Sequence, residues 1–138
     1  MGVHFSDPDL ALAIRNVTGK STEQISKLDL AVLNKLDVQK RNIVYLGGIE
    51  HCTKLRRLYL KDNQIDDISP LSKLTNLQWL DLRYNKISDI SHLVNNLGIG
   101  RGDEVDLRGN PLSDEAYGVH IPALRKRGAN ILFDPKPK

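Results

Sequence analysis

Aromatic residues make up only 5% of this 138-residue chain, with one Trp, four Tyr and two Phe. Aliphatic side chains must therefore fill the core. A single cysteine, Cys52, permits no internal disulfide. That suits a reducing compartment and, equally, a disulfide-free surface protein. No stretch approaches the roughly 20 apolar residues of a membrane helix, so no membrane insertion is expected. The first residues lack the apolar core of a signal peptide. The net charge is only +3, without the dense basic stripe that nucleic-acid binding demands. The chain has no phosphate loop, no G-x-S-x-G and no H-E-x-x-H. No two histidines stand at ligand spacing, so no metal site is readable. No cofactor and no catalytic set are expected, and an enzyme is the weakest reading. What is present, 40% apolar and 27% charged residues, fits one globular domain.

The apolar residues of "LRRLYLKDNQI", residues 55–65, follow neither a helical nor a strand period for long. A shift of 22 residues explains them: Leu55, Leu58, Leu60, Asn63 and Ile65 become Leu77, Leu80, Leu82, Asn85 and Ile87. The opposite shift gives Leu33, Leu36, Val38, Arg41 and Ile43. The register continues, since Leu46, Ile68 and Ile90 align, as do Ile49, Leu71 and Leu93. A fixed period in the 20s containing L-x-x-L-x-L-x-x-N-x-I is the leucine-rich-repeat pattern.

Each unit then follows from physics. The L-x-L segments Leu58-Tyr59-Leu60 and Leu80-Asp81-Leu82 are short strands with Leu inward. One coil cannot bury its own apolar side chains, so coils stack and their strands form a parallel concave sheet. Asn63 and Asn85 stand where an inward amide can satisfy turn backbone. Arg41 replaces that amide in the first unit, which predicts a more open turn or the use of Asn42. Asp67 to Leu71 and Asp89 to Leu93 predict tight or 3₁₀ turns on the convex side, not long helices. The fold class expected is an α/β solenoid: a short repeat array with a helical N-terminal cap and a C-terminal cap.

Residues 1–32 read as the helical N-terminal cap. Asp7-Pro8 opens a helix with Leu10, Ile14 and Val17 on one face, and Gly19 stops it. Ser21-Thr22-Glu23-Gln24 reads as a capping box for a second short helix. Residues 33–97 hold three repeats. Residues 98–138 hold a degenerate last repeat, "VDLRGNPL", set 25 residues after the third, followed by a C-terminal cap and tail. The three extra residues lie in the loop from about Asn95 to Asp103. A helix from about Ser113 to Arg127, interrupted at Pro122 and stopped by Gly128, precedes a terminal strand at Ile131-Leu132-Phe133.

With these units, "NQIDDISPLSKLTNLQWLDL", the cap "FSDPDLALAIRNVTG" and the final "DLRGNPLSD", the chain resembles the bacterial internalin-type leucine-rich-repeat proteins. The resemblance spans nearly the whole sequence. It implies a protein-recognition module that binds through the concave sheet, and a secreted or surface-attached setting.

The register identifies the residues that face outward from the sheet. One row runs Gln39, Lys61, Arg83 and Arg108; the next Asp37, Tyr59, Asp81 and Asp106; the third Lys35, Arg57, Trp79 and Glu104. Exposed Trp, Tyr and Arg are the composition of an interface hot spot. The expected partner-binding set is Arg57, Tyr59, Lys61, Trp79, Asp81, Arg83, Tyr84 and Arg108. The bland reading of the same residues is Trp79 covering aliphatic stems and charges pairing across strands. The function expected is protein–protein interaction by a monomer. The alternative is a structural spacer of a larger surface protein, with no ligand of its own. The irregularities at Arg41, Gly47-Gly48 and the 25-residue step argue against a designed scaffold.

Other motifs favour structural roles. Cys52 aligns with Leu74, a core position. Asp66-Asp67 and Ser88-Asp89 recur with the repeat and suit turns and caps. Arg101-Gly102-Asp103 matches a cell-adhesion tripeptide but stands in a loop that wants glycine. Met1 to Ser6 matches an N-myristoylation pattern, and one acyl chain holds a membrane only marginally.

Overall fold

The computed structural model describes residues 2–138. Met1, with which the acylation pattern begins, lies outside the described residues.

Asp7 caps helix α1 (Pro8–Thr18), its Oδ1 accepting from the backbone nitrogens of Asp9 at 2.9 Å and Leu10 at 3.1 Å. Pro8 takes the first helical position, where its missing N–H costs nothing. Gly19 ends the helix at φ 73°, and its N–H donates to the Arg15 carbonyl. Leu10 and Ile14 are buried, as the apolar face predicts. Val17 is not: it is 46% exposed, because the last helical turn lies clear of the core and Ala13 completes the face.

The second capping box stands five residues beyond Ser21, at α2 (Lys27–Ala31). Asp29 N donates to Ser26 Oγ at 3.1 Å, and Ser26 N donates to Asp29 Oδ2 at 2.8 Å. Ser21 to Glu23 instead form a bend, with Arg15 Nη1 donating to the Glu23 carbonyl at 2.8 Å. The physical reason is burial. Starting at Lys27 delivers Leu30 to the core and leaves Ile25 extended, where its carbonyl accepts from Val3 N.

Five parallel strands form one sheet in sequence order: β1 (Lys35–Asp37), β2 (Arg57–Tyr59), β3 (Trp79–Asp81), β4 (Glu104–Asp106) and β5 (Asn130–Leu132). Leu36, Leu58, Leu80, Val105 and Ile131 align across it, all buried. Each such side chain contributes roughly 1.5–3 kcal/mol. Val38, Leu60, Leu82 and Leu107 form the next buried column.

The asparagines explain how coils join. Asn63 Nδ2 donates to the carbonyls of Val38 and Leu60, while its Oδ1 accepts from Arg41 N and Ile43 N, both at 3.0 Å. Asn85 and Asn110 repeat the arrangement one and two coils on. Each amide therefore closes the turn of the coil before it. The first turn is closed in the same way, by Asn63, and neither opens nor uses Asn42. No coil precedes it, so Arg41 has no turn to close and is exposed.

The convex side carries 3₁₀ turns at Ile49–His51 and Ser69–Lys73. The third coil differs, with one turn of α-helix, α3 (Ser91–Asn95). This turn occupies the same five positions as Ser69–Lys73, 22 residues on, and the three extra residues follow it; Asn96 stands where Cys52 and Leu74 stand in the preceding coils. Its side chain is fully buried and donates to the carbonyls of Leu71 at 2.9 Å and Leu74 at 3.0 Å. Gly98 lets this loop close on the preceding coil, since a Cβ there would come within 2.0 Å of the Thr75 carbonyl oxygen.

The C-terminal cap is continuously helical from Asp114 to Lys126. Pro122 does not interrupt it. A π-helical turn, Ala116–His120, leads into α4 (Ile121–Lys126), and Pro122 occupies the first turn of α4. The wider turn ahead of Pro122 accommodates the residue that a continuous α-helix would exclude. Gly128, at φ 94°, ends the segment and β5 pairs with β4, as expected.

Candidate functional site

The concave face inherits its geometry from the strand register. Arg57 lies beside Trp79, and Trp79 beside Glu104; Tyr59 lies beside Asp81, and Asp81 beside Asp106. Tyr59 and Trp79 are thus on adjacent strands but diagonal to each other. Trp79 is 42% exposed and Tyr84 is 55% exposed, while Tyr59 is half-buried.

Lysines lie over two of these rings. Lys35 Nζ is 5.6 Å from the Tyr59 ring centre, and Lys61 Nζ is 5.9 Å from that of Tyr84. Both distances are in the range of cation–π attraction. Tyr84 itself takes φ 56°, and its ring lies where a Cβ on Gly109 would stand, at 2.3 Å. Gly109 therefore cradles Tyr84. Only the spacing of these two residues hints at this in the sequence.

The charged residues behave differently from the expectation. Asp81 was expected to face a partner, yet it is only 3% exposed. Arg83 folds back onto it, with Nε 3.0 Å from Oδ1 and Nη2 2.8 Å from Oδ2. Arg83 Nε also stands 3.4 Å from Asp106 Oδ2, and Arg108 grips Asp106 at 2.6 and 2.9 Å. The Asp-x-Arg spacing, repeated on successive coils, builds a chain of ion pairs along the sheet. Burial would push the Asp81 carboxyl up, but the Arg83 side chain and backbone N–H outweigh it and hold it below the ordinary value. The Asp81 hydrogen bonds raise the Arg83 guanidinium further above its own. Asp81 is thus a support for Arg83, and the basic row is partly neutralised within the protein. Arg57, Lys61, Trp79 and Tyr84 take no part in these ion pairs.

Asp67 and Asp89 each accept from the backbone nitrogen two residues on, at 2.8 Å, as turn caps. Cys52 is fully buried, and burial pushes its thiol up to about 12. In Arg101-Gly102-Asp103, Gly102 takes φ 85° and Asp103 Oδ2 accepts from Gly100 N at 2.9 Å. The tripeptide is a turn whose carboxylate is already engaged.

Comparisons with known proteins agree with this architecture. The family described as leucine rich repeat matches residues 31–87 and 53–97. An internalin (InlF) from Listeria monocytogenes is 40% identical over 80% of this chain, with a TM-score of 0.73. This chain is an internalin-type leucine-rich-repeat protein. The functional domain of InlJ from Listeria monocytogenes, which includes a cysteine ladder, is 28% identical over 79% of the chain, with a TM-score of 0.62. The chain spans 32% of the length of the first structure and 26% of the second. Internalin-type repeats generally mediate protein–protein interaction, and such folds are typically non-enzymatic.

Proposed function

We propose that this internalin-type array binds a protein partner through its concave face. Trp79 and Tyr84 serve as aromatic anchors, with Tyr59, Arg57, Lys61, Arg83 and Arg108 around them. One observation carries the reading: a tryptophan 42% exposed on the sheet, beside an Arg57 that forms no salt bridge among the described residues. Large aromatic rings on a preorganised surface lose little entropy on binding. The sheet has five strands of three residues each, so the interface is small and the flanks contribute to it.

A second reading is favoured by the Asp81–Arg83–Asp106–Arg108 chain, which satisfies its own charges. On that reading the array is a spacer within a larger protein.

Affinity capture with wild type beside a Tyr59→Ala/Trp79→Ala variant separates the two. The proposal expects a protein retained by wild type and lost by the variant, with the circular-dichroism melt little changed. Identical captures would favour the spacer. A collapsed melt would mean that these side chains belong to the core.

A further inference from the structure

The edge where the chain enters the sheet carries a feature that the aromatic patch does not use. The residues immediately before β1, β2 and β3 are Asn34, Arg56 and Gln78, one on each coil. Their main chains are locked. The Asn34 carbonyl accepts from Arg56 N at 2.8 Å and Arg57 N at 3.2 Å, and the Arg56 carbonyl accepts from Gln78 N at 2.7 Å and Trp79 N at 2.9 Å. Their side chains therefore leave from fixed points at strand spacing, roughly 4.8 Å apart.

Two hollows lie along this edge and share Asn34 and Arg56. One, of about 450 Å³, is lined also by Val32, Lys54 and Asn76. The other, of about 310 Å³, adds Lys35, Arg57 and Gln78. Together they make one groove across three coils.

The groove is one-sided in charge. Lys35, Lys54, Arg56 and Arg57 line it, and no carboxylate does. All four are exposed, and among the described residues none forms a salt bridge. Arg83 and Arg108, by contrast, each hold an aspartate two residues back. Past the other end of the strands the sign reverses, with Asp66, Asp67 and Asp89 around a separate hollow. A cationic groove with low competition from internal anions attracts and orients negative ligands.

We infer that this groove binds an acidic peptide segment, an extended run of Asp and Glu laid across the coils. Arg56 and Arg57 take carboxylates in bidentate fashion, and Lys35 and Lys54 add point charges. The three amides Asn34, Asn76 and Gln78 decide for a peptide over a bare polyanion, because they offer a peptide main chain both donors and acceptors. Asn76 Nδ2 already donates to the Thr53 carbonyl at 2.9 Å, which fixes that amide and leaves its Oδ1 as an acceptor. The groove shares Arg57 with the proposed partner face and touches the aromatic patch through Lys35, whose Nζ lies over the Tyr59 ring.

Fluorescence anisotropy of a labelled octaglutamate peptide tests this. Four forms are compared: wild type, Lys54→Ala/Arg56→Ala, Tyr59→Ala/Trp79→Ala, and a charge-matched pair outside the groove, Lys73→Ala/Lys86→Ala. The expected result is saturable, salt-sensitive binding by wild type. The groove pair binds roughly tenfold more weakly, from a few-fold per exposed ion pair, with its thermal melt unchanged. The other two pairs stay within about twofold of wild type. Absence of saturable binding overturns the inference. So does equal weakening in both charge-removing pairs, which means that net charge alone attracts the peptide. A heparin oligosaccharide of equal charge that binds more tightly than octaglutamate also overturns it, in favour of a sulfated sugar.

Discussion

Asp7 Oδ2 accepts a 2.7 Å hydrogen bond from the backbone nitrogen of Val44, 37 residues further along the chain. The same oxygen accepts from Tyr45 N at 3.0 Å, while Oδ1 caps α1. One buried carboxylate thus fastens the helical cap to the first coil. Burial alone would raise its pKa, but the four backbone donors hold it below the ordinary aspartate value.

Asp7→Ala is expected to cost about 3 kcal/mol, combining a lost cap with two buried N–H groups left unpaired. The pH dependence follows from the direction of the shift. A carboxyl with a lowered folded pKa contributes stability that is fully present above its unfolded value, near 3.9 for aspartate, and lost as pH falls through the folded value. Wild type should therefore weaken below about pH 4, with a shallower acid slope in Asp7→Asn. Urea titrations at stepped pH check this, and identical slopes would refute the link.

Asn63→Ala and Asn85→Ala should each cost about 2–4 kcal/mol, because each removal strands several buried backbone groups of two coils at once. Asn63→Asp should be nearly as damaging. It keeps the acceptor for Arg41 N and Ile43 N but sets an oxygen against the Val38 and Leu60 carbonyls. Urea midpoints measure both. A loss under about 0.5 kcal/mol, the size of an ordinary surface change, would show that water replaces the amide.

Arg83→Ala should destabilise by about 1–3 kcal/mol, since Asp81 is buried and loses its bidentate partner. The Asp81 pKa then rises. The acid-linked loss of stability from Asp81 should be smaller than in wild type, with a shallower slope below about pH 4, because that loss scales with the gap between the unfolded and folded values. Carboxyl titration followed by NMR would register the shift directly. An unmoved Asp81 would mean that its backbone contacts alone hold it ionised.

Cys52 should react with a thiol reagent only as fast as the protein opens, because burial at full depth pushes its thiol up to about 12. Raising urea should accelerate labelling in step with the loss of circular dichroism. Rapid labelling of the native protein would place Cys52 at the surface.

Much of the fold was legible because the repeat imposes it. Leu58 and Leu80, or Asn63 and Asn85, recur at one spacing, and a stacked coil gives every equivalent position the same environment. The ends were less legible, having no second copy to check against. Ser21–Gln24 matches a capping box as well as Ser26–Asp29 does, and only the burial of Ile25 and Leu30 selects the second. Pro122 looks like a break until the π turn before it is seen.

The sequence by itself determined the period, the inward leucines and which side chains leave the concave face, since alternation along a strand is a local property. Only the tertiary structure decided how those outward residues treat one another. Asp81 and Arg83 read as two free charges until the sheet brings Arg83 back over Asp81 and on toward Asp106. Asn34, Arg56 and Gln78 read as scattered polar residues until stacking lines them along one edge. Pairing between coils depends on distances between residues far apart in the chain, and only folding sets those distances.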